Sequence, residues 1–141
     1  MPIPSLHAYG EIIYTLPERY PSIQSSTLVL APIGPTLAKL EGQLAFRSDV
    51  NLDVWELLDF DAGRILNYSY EVYRADEKVL WFDPFEHPND PALASTFPHH
   101  KHIPPDIKRH RAPAPGISFD APNLPRLIEE IEREVLPAAD Q

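Results

Sequence analysis

The chain carries 17 prolines, and none of them falls between residues 36 and 83. Six lie within residues 2–35 and eleven within 84–137. Proline removes a backbone donor from a hydrogen-bonded ladder, so interior strands of any sheet are confined to the proline-free window. Only 5 glycines accompany the prolines. The prolines therefore punctuate an ordered chain rather than soften a flexible linker. A length of 141 residues, 43% of them hydrophobic, predicts one packed domain over residues 1–141.

Inside the window the periodicity is that of strands. Leu40, Gly42, Leu44 and Phe46 alternate with Glu41, Gln43, Ala45 and Arg47. Residues 51–60 are apolar on both sides, and Asp61-Ala62-Gly63 marks a turn. Leu66, Tyr68, Tyr70 and Val72 share one face of the next run, and residues 79–83 form a last short strand ending at Pro84. The pattern predicts an α+β fold: an antiparallel meander of about four to five strands with an N-terminal and a C-terminal helix. The first helix is expected over Ser5–Leu16, with Leu6, Tyr9, Ile13 and Leu16 on one side. The second starts at Asn123 as N-cap and buries Leu124, Leu127, Ile128, Ile131 and Val135. Its glutamates are expected to face water. Trp55, Trp81, Tyr68 and Tyr70 are expected in the core. Residues 84–122 then form a long, irregular connection, a length usual for functional or disordered segments.

Several classes drop out. With no cysteine, a disulfide scaffold, a thiolate zinc site and a cysteine nucleophile are excluded. No apolar run approaches the ~18 residues of a membrane span. The first residues lack the basic and small-residue elements of a secretory signal. A cytoplasmic protein without membrane contact is expected. A net charge of -9 opposes binding of nucleic acid through diffuse charge, yet leaves room for a local basic site.

Such a site exists in the long connection. Residues 99–112 read HHKHIPPDIKRHRA, with four of the six histidines and four of the 12 lysines and arginines. A cluster of this kind on an acidic chain suits an anion, phosphate above all. Three readings compete. Histidines could act as general acid and base on a phosphodiester, with a lysine or arginine neutralising phosphate charge. His99, His100 and His102 could instead ligate a metal, with Asp83 or His87; Lys101 between them opposes that. Or the segment is a solvated basic loop that binds an acidic partner or nothing. Asp83 and His87 could pair, the carboxylate orienting the imidazole, and tyrosines such as Tyr70 could contact a nucleic acid.

The order of motifs adds a resemblance. Asn67-Tyr68-Ser69-Tyr70, Leu80-Trp81-Phe82-Asp83, His87-Pro88 and Thr96-Phe97-Pro98-His99-His100-Lys101-His102 follow one another. The series resembles the TumE family, toxin halves of prokaryotic toxin–antitoxin pairs, over roughly residues 36–136. Glu71 stands where the family has histidine, and Trp81-Phe82-Asp83-Pro84 lacks the family's arginine and asparagine. One histidine of the P-H-H-P element is also absent. The resemblance implies a growth-inhibiting protein neutralised by an antitoxin encoded beside it, in many such pairs a helix-turn-helix protein. By analogy with toxins of this size, the target is RNA. The expected catalytic set is His100 and His102 for proton transfer, Lys101 for phosphate charge, and Asp83 with His87 to orient. His99, Lys108, Arg109, Arg111 and Tyr70 are expected to bind substrate, with no metal or other cofactor. The antitoxin is expected to lay acidic residues against 99–112. The alternative is a non-catalytic regulatory module whose histidine-rich segment contacts a partner or a metal.

Overall fold

A computed structural model describes residues 2–141. Eight strands form one sheet: β1 (Ile23–Ser26), β2 (Val29–Pro32), β3 (Leu37–Phe46), β4 (Val50–Asp59), β5 (Arg64–Arg74), β6 (Glu77–Asp83), β7 (His100–His102) and β8 (Arg111–Pro113). The order is β1-β3-β4-β5-β6-β7-β8, with β2 also on β3, and every pairing is antiparallel. The helices are α1 (Leu6–Tyr14), α2 (Leu16–Arg19), α3 (Leu124–Glu130) and α4 (Leu136–Ala139), the last two joined by a π-helical stretch, Ile131–Val135.

The α+β class and the central meander β3–β6 match the proline-free window. The expected four to five strands undercount. The four others are three or four residues long, too short for alternation to register. β2 and β8 end on Pro32 and Pro113, at the sheet's margins where a missing donor is tolerated. The N-terminal helix is shorter than Ser5–Leu16: Ser5 caps it, its hydroxyl accepting the Ala8 N–H, and it stops at Tyr14.

Both helical segments cover one face of the sheet. Tyr9, Ile13, Leu16, Leu124, Leu127, Ile128 and Ile131 pack with Leu40, Leu44, Leu52, Leu58, Tyr70 and Phe82 in one hydrophobic cluster. Strand β4 alternates without a break, so Val50, Leu52, Val54, Glu56 and Leu58 point inward. Trp55 is therefore on the opposite face, as is Trp81 in β6; both are half-exposed, which corrects their expected place in the core. In β5 a bulge opposite Leu57–Leu58 shifts the alternation by one. It buries Ile65 and leaves Leu66 exposed, reversing the expected face for Leu66.

Gly42 lets β1 and β2 share the flank of β3. A Cβ there would stand 2.5 Å from the Thr27 carbonyl oxygen and 2.8 Å from Leu28 Cα, and its φ is +142°. Asn123 is at the N-cap but does not cap α3 with its side chain. Its amide donates instead to the Tyr70 hydroxyl (3.1 Å) and the Ser118 carbonyl (2.9 Å). The C-terminal glutamates do not simply face water: Glu129, Glu130 and Glu132 accept from Tyr20, Lys101 and Ser22.

Candidate active site on the open face of the sheet

The face of the sheet turned away from the helices carries a cleft of about 970 Å³. Its floor comes from β5–β8 by register. Trp81 pairs with His102 and Asp83 with His100 across β6–β7, and His102 pairs with Arg111 across β7–β8. Directly opposed residues project to the same side, so Trp81, Asp83, His100, His102 and Arg111 share the open face. The segment after β6 folds over them, bringing Phe85, Glu86 and His87 to the rim. The long connection is thus partly sheet, and His100 and His102 sit on a strand rather than on a solvated loop.

The Thr96–His102 string builds the entry to β7. The Thr96 carbonyl accepts the His99 N–H (2.7 Å), and the Thr96 hydroxyl donates to the His99 carbonyl (2.7 Å) while accepting the Ala114 N–H (3.1 Å). That knot orients everything that follows. His100 and His102 are 1% and 4% exposed. His100 Nδ1 lies 3.1 Å from the Pro98 carbonyl oxygen, which can only accept, so this nitrogen carries a proton. His102 Nε2 lies 2.9 Å from Asp83 Oδ2, and His100 Nε2 lies 3.3 Å from Asp83 Oδ1 and 3.3 Å from His102 Nε2. The Phe85 N–H donates to Asp83 Oδ1 (2.8 Å) and fixes the carboxylate. The His102 ring stacks on Trp81 at 4.3 Å, and the Trp81 N–H donates to the Ser69 hydroxyl.

The expected site residues divide by position. Asp83, His100 and His102 converge. The His87 ring meets the His100 ring edge-on at 4.9 Å and stands at the rim; burial, then Arg111 and His100, hold it below the usual imidazole value. Arg111 lines the cleft, and its Nε is buried with no partner. Lys108 also reaches the cleft. Lys101 is on the other face of β7: Nζ is 2.9 Å from Glu130 Oε2 on α3. Arg109 is exposed in a turn beside Asp106 (3.7 Å). Tyr70 is fully buried on the helix side, its hydroxyl donating to Glu56. His99 is half-buried, its ring tilted against Phe119 at 4.5 Å and stacked with Tyr68 at 5.7 Å, and its Nδ1 lies 2.5 Å from the Tyr68 hydroxyl. Burial, and then His100, hold His99 below its usual value, whereas burial and the Asp83 charge push the Tyr68 hydroxyl up, keeping it a donor.

Trp55 and Trp81 are the cleft residues that the sequence pattern assigned elsewhere. The signal was present: each is flanked on both sides by buried neighbours, and strict alternation places such a residue on the opposite face. Chemically, the cleft joins aromatic walls for stacking, a guanidinium for an anion, and a floor of imidazoles around one carboxylate. Among the described residues no helix is long and apolar enough to cross a membrane.

No curated protein and no solved structure matches the chain. The family model described as Toxin TumE matches residues 13–135, a span that holds the whole sheet, the cleft and most of the helical layer. On that match, the chain belongs to the TumE toxin family.

Proposed function

We propose that this toxin acts on RNA and cuts its phosphodiester backbone in the open-face cleft. One observation carries the reading: Trp55, Trp81, Asp83, His87, His102 and Arg111 line a single concavity suited to bases and phosphate, with His100 buried directly behind Asp83 and His102. A base stacks on Trp55 or Trp81, and Arg111, whose Nε has no protein partner, meets the phosphate. RNA supplies its own nucleophile. The 2′-oxygen bonds to phosphorus and the P–O5′ bond breaks. The 2′-hydroxyl proton passes to His87, the imidazole at the cleft rim, and the 5′-oxygen takes its proton from solvent. A 2′,3′-cyclic phosphate and a 5′-hydroxyl result.

Relative to the set expected from sequence, Arg111 takes the charge-neutralising role assigned to Lys101, and His87 takes a proton-transfer role. His100 and His102 serve through Asp83, because their Nε2 atoms lie against that carboxylate. Membership of a toxin family points to an antitoxin partner, encoded beside this gene, that covers the cleft. Its acids would meet Lys108, Arg109 and Arg111.

The test is induction of the parent, His87→Ala and Arg111→Ala in cells, with growth and total RNA followed together. RNA fragments with cyclic phosphate ends from the parent, lost in both variants, support the reading. Growth arrest by the parent with intact RNA refutes it.

A further inference from the structure

Proton counting at the cleft floor leaves lone pairs facing one another. The proton of a neutral His100 is on Nδ1, against the Pro98 carbonyl (3.1 Å), so its Nε2 presents a bare lone pair. That lone pair faces Asp83 Oδ1 and His102 Nε2, each at 3.3 Å. The other Asp83 oxygen faces His102 Nε2 at 2.9 Å. Among these four heteroatoms only His102 Nε2 has room for a proton. Nothing else fixes the His102 tautomer, since its Nδ1 is buried and unpartnered. Three acceptors and one imidazole nitrogen of open tautomer thus converge, nearly dry, and a cation would satisfy all four.

The geometry points to a metal site: we propose that His100 Nε2, His102 Nε2 and the Asp83 carboxylate bind one divalent first-row transition ion. The three ligand atoms lie within 4.8 Å of one another, and the contacts among them are 2.9 to 3.3 Å. With metal–ligand arms of ~2.1 Å, the edges of an octahedron are ~3.0 Å and those of a tetrahedron ~3.4 Å. Two imidazoles with one carboxylate suit zinc, manganese, iron or cobalt rather than calcium or magnesium. Two of the three ligands are backed as in a metal centre, by a backbone carbonyl holding the His100 Nδ1–H and a backbone N–H holding the carboxylate, while His102 Nδ1 has no such partner. The objection raised by Lys101 disappears, because that side chain leaves by the opposite face to Glu130. Arg111 and His87 stand on the cleft side, where a phosphate would meet the ion.

The binding claim stands without the RNA reading; only the ion's use rests on it, where a positive charge at the floor steadies phosphate oxygens. It replaces the metal-free route expected from sequence.

The experiment takes full-length protein stripped with EDTA and dialysed, then titrated with Zn²⁺ by calorimetry and Co²⁺ by visible absorption. One ion per chain is expected. Asp83→Asn and His102→Gln should each weaken binding more than tenfold, while His87→Gln keeps a stoichiometry of one. If a ligand variant does not fold, imidazole ¹⁵N shifts of the unaltered chain during Zn²⁺ titration report the same site, and must move for His100 and His102. Absence of stoichiometric Zn²⁺, Co²⁺ and Mn²⁺ binding, or binding indifferent to both ligand variants, overturns the site. RNA cleavage by metal-free protein in EDTA at the untreated rate overturns the ion's use in the chemistry and spares both the RNA reading and the binding claim. A bound ion with RNA left intact spares the site and overturns the RNA reading.

Discussion

Glu56 is the single fully buried carboxyl in the core face of β4, and its removal should reveal how that face is held. Among the described residues it accepts from two buried hydroxyls, Tyr9 on α1 and Tyr70 on β5, and the Asn123 amide donates to Tyr70 in turn. Glu56→Leu keeps the volume but leaves two phenolic protons without an acceptor. At about 1–3 kcal/mol for each orphaned buried group, the loss is roughly 2–6 kcal/mol. Glu56→Gln keeps one acceptor and offers a donor to the second oxygen, so about 1 kcal/mol is expected. Burial pushes the Glu56 carboxyl above its ordinary value of 4.5, against the lowering effect of the two tyrosine hydrogen bonds. The sign follows. Above that ordinary value the unfolded chain releases the proton while the folded chain keeps it, so the parent loses stability as pH rises until the folded carboxyl ionises too. Each unit of upward shift accounts for about 1.4 kcal/mol. Glu56→Gln has no such slope. Urea unfolding of the three proteins from pH 4 to 8 is the assay. The parent's advantage over Glu56→Gln should be largest near pH 4 and shrink toward neutrality. A constant difference across that range, or Glu56→Leu as stable as Glu56→Gln, would refute the account of this network.

Gly42→Ala should destabilise by about 2–4 kcal/mol, because its methyl would meet backbone at 2.5 and 2.8 Å and the φ of +142° suits glycine alone; an unchanged urea midpoint would contradict this. Lys101→Met should cost about 1–2 kcal/mol, between exposed and buried ion pairs, since Lys101 and Glu130 side chains are 22% and 16% exposed. Growth inhibition should nevertheless survive it, and its loss in a folded variant would return Lys101 to the chemistry. Trp81→Ala removes the ring stacked on His102 at 4.3 Å; RNA affinity should fall by about 1–3 kcal/mol with folding retained, as read by filter binding beside circular dichroism. Unaltered affinity would exclude Trp81 as a base platform.

Local pattern carried far in this chain. The proline-free window bounded β3–β6, because a missing backbone donor is a local and absolute defect. The stripe from Leu124 to Val135 is buried as its spacing required, and the Thr96–His102 string leads into β7. Legibility failed where neighbours in space, not in sequence, supply the hydrogen bonds. β7 is three residues long and is a strand only because β6 and β8 flank it. Leu66 changed face because of a bulge set by the register against β4.

The amino-acid order by itself determined the class of fold, the extent of the meander, and which residues bear imidazoles and positive charge. Tertiary structure alone decided which of them meet. Alternation along β7 sends His100 and His102 to the open face and Lys101 to the helices, and strand pairing carries Asp83 and Arg111 to the same side. Side-chain direction in a sheet is a local property, but adjacency across strands depends on register, and register is settled only when one whole face is buried.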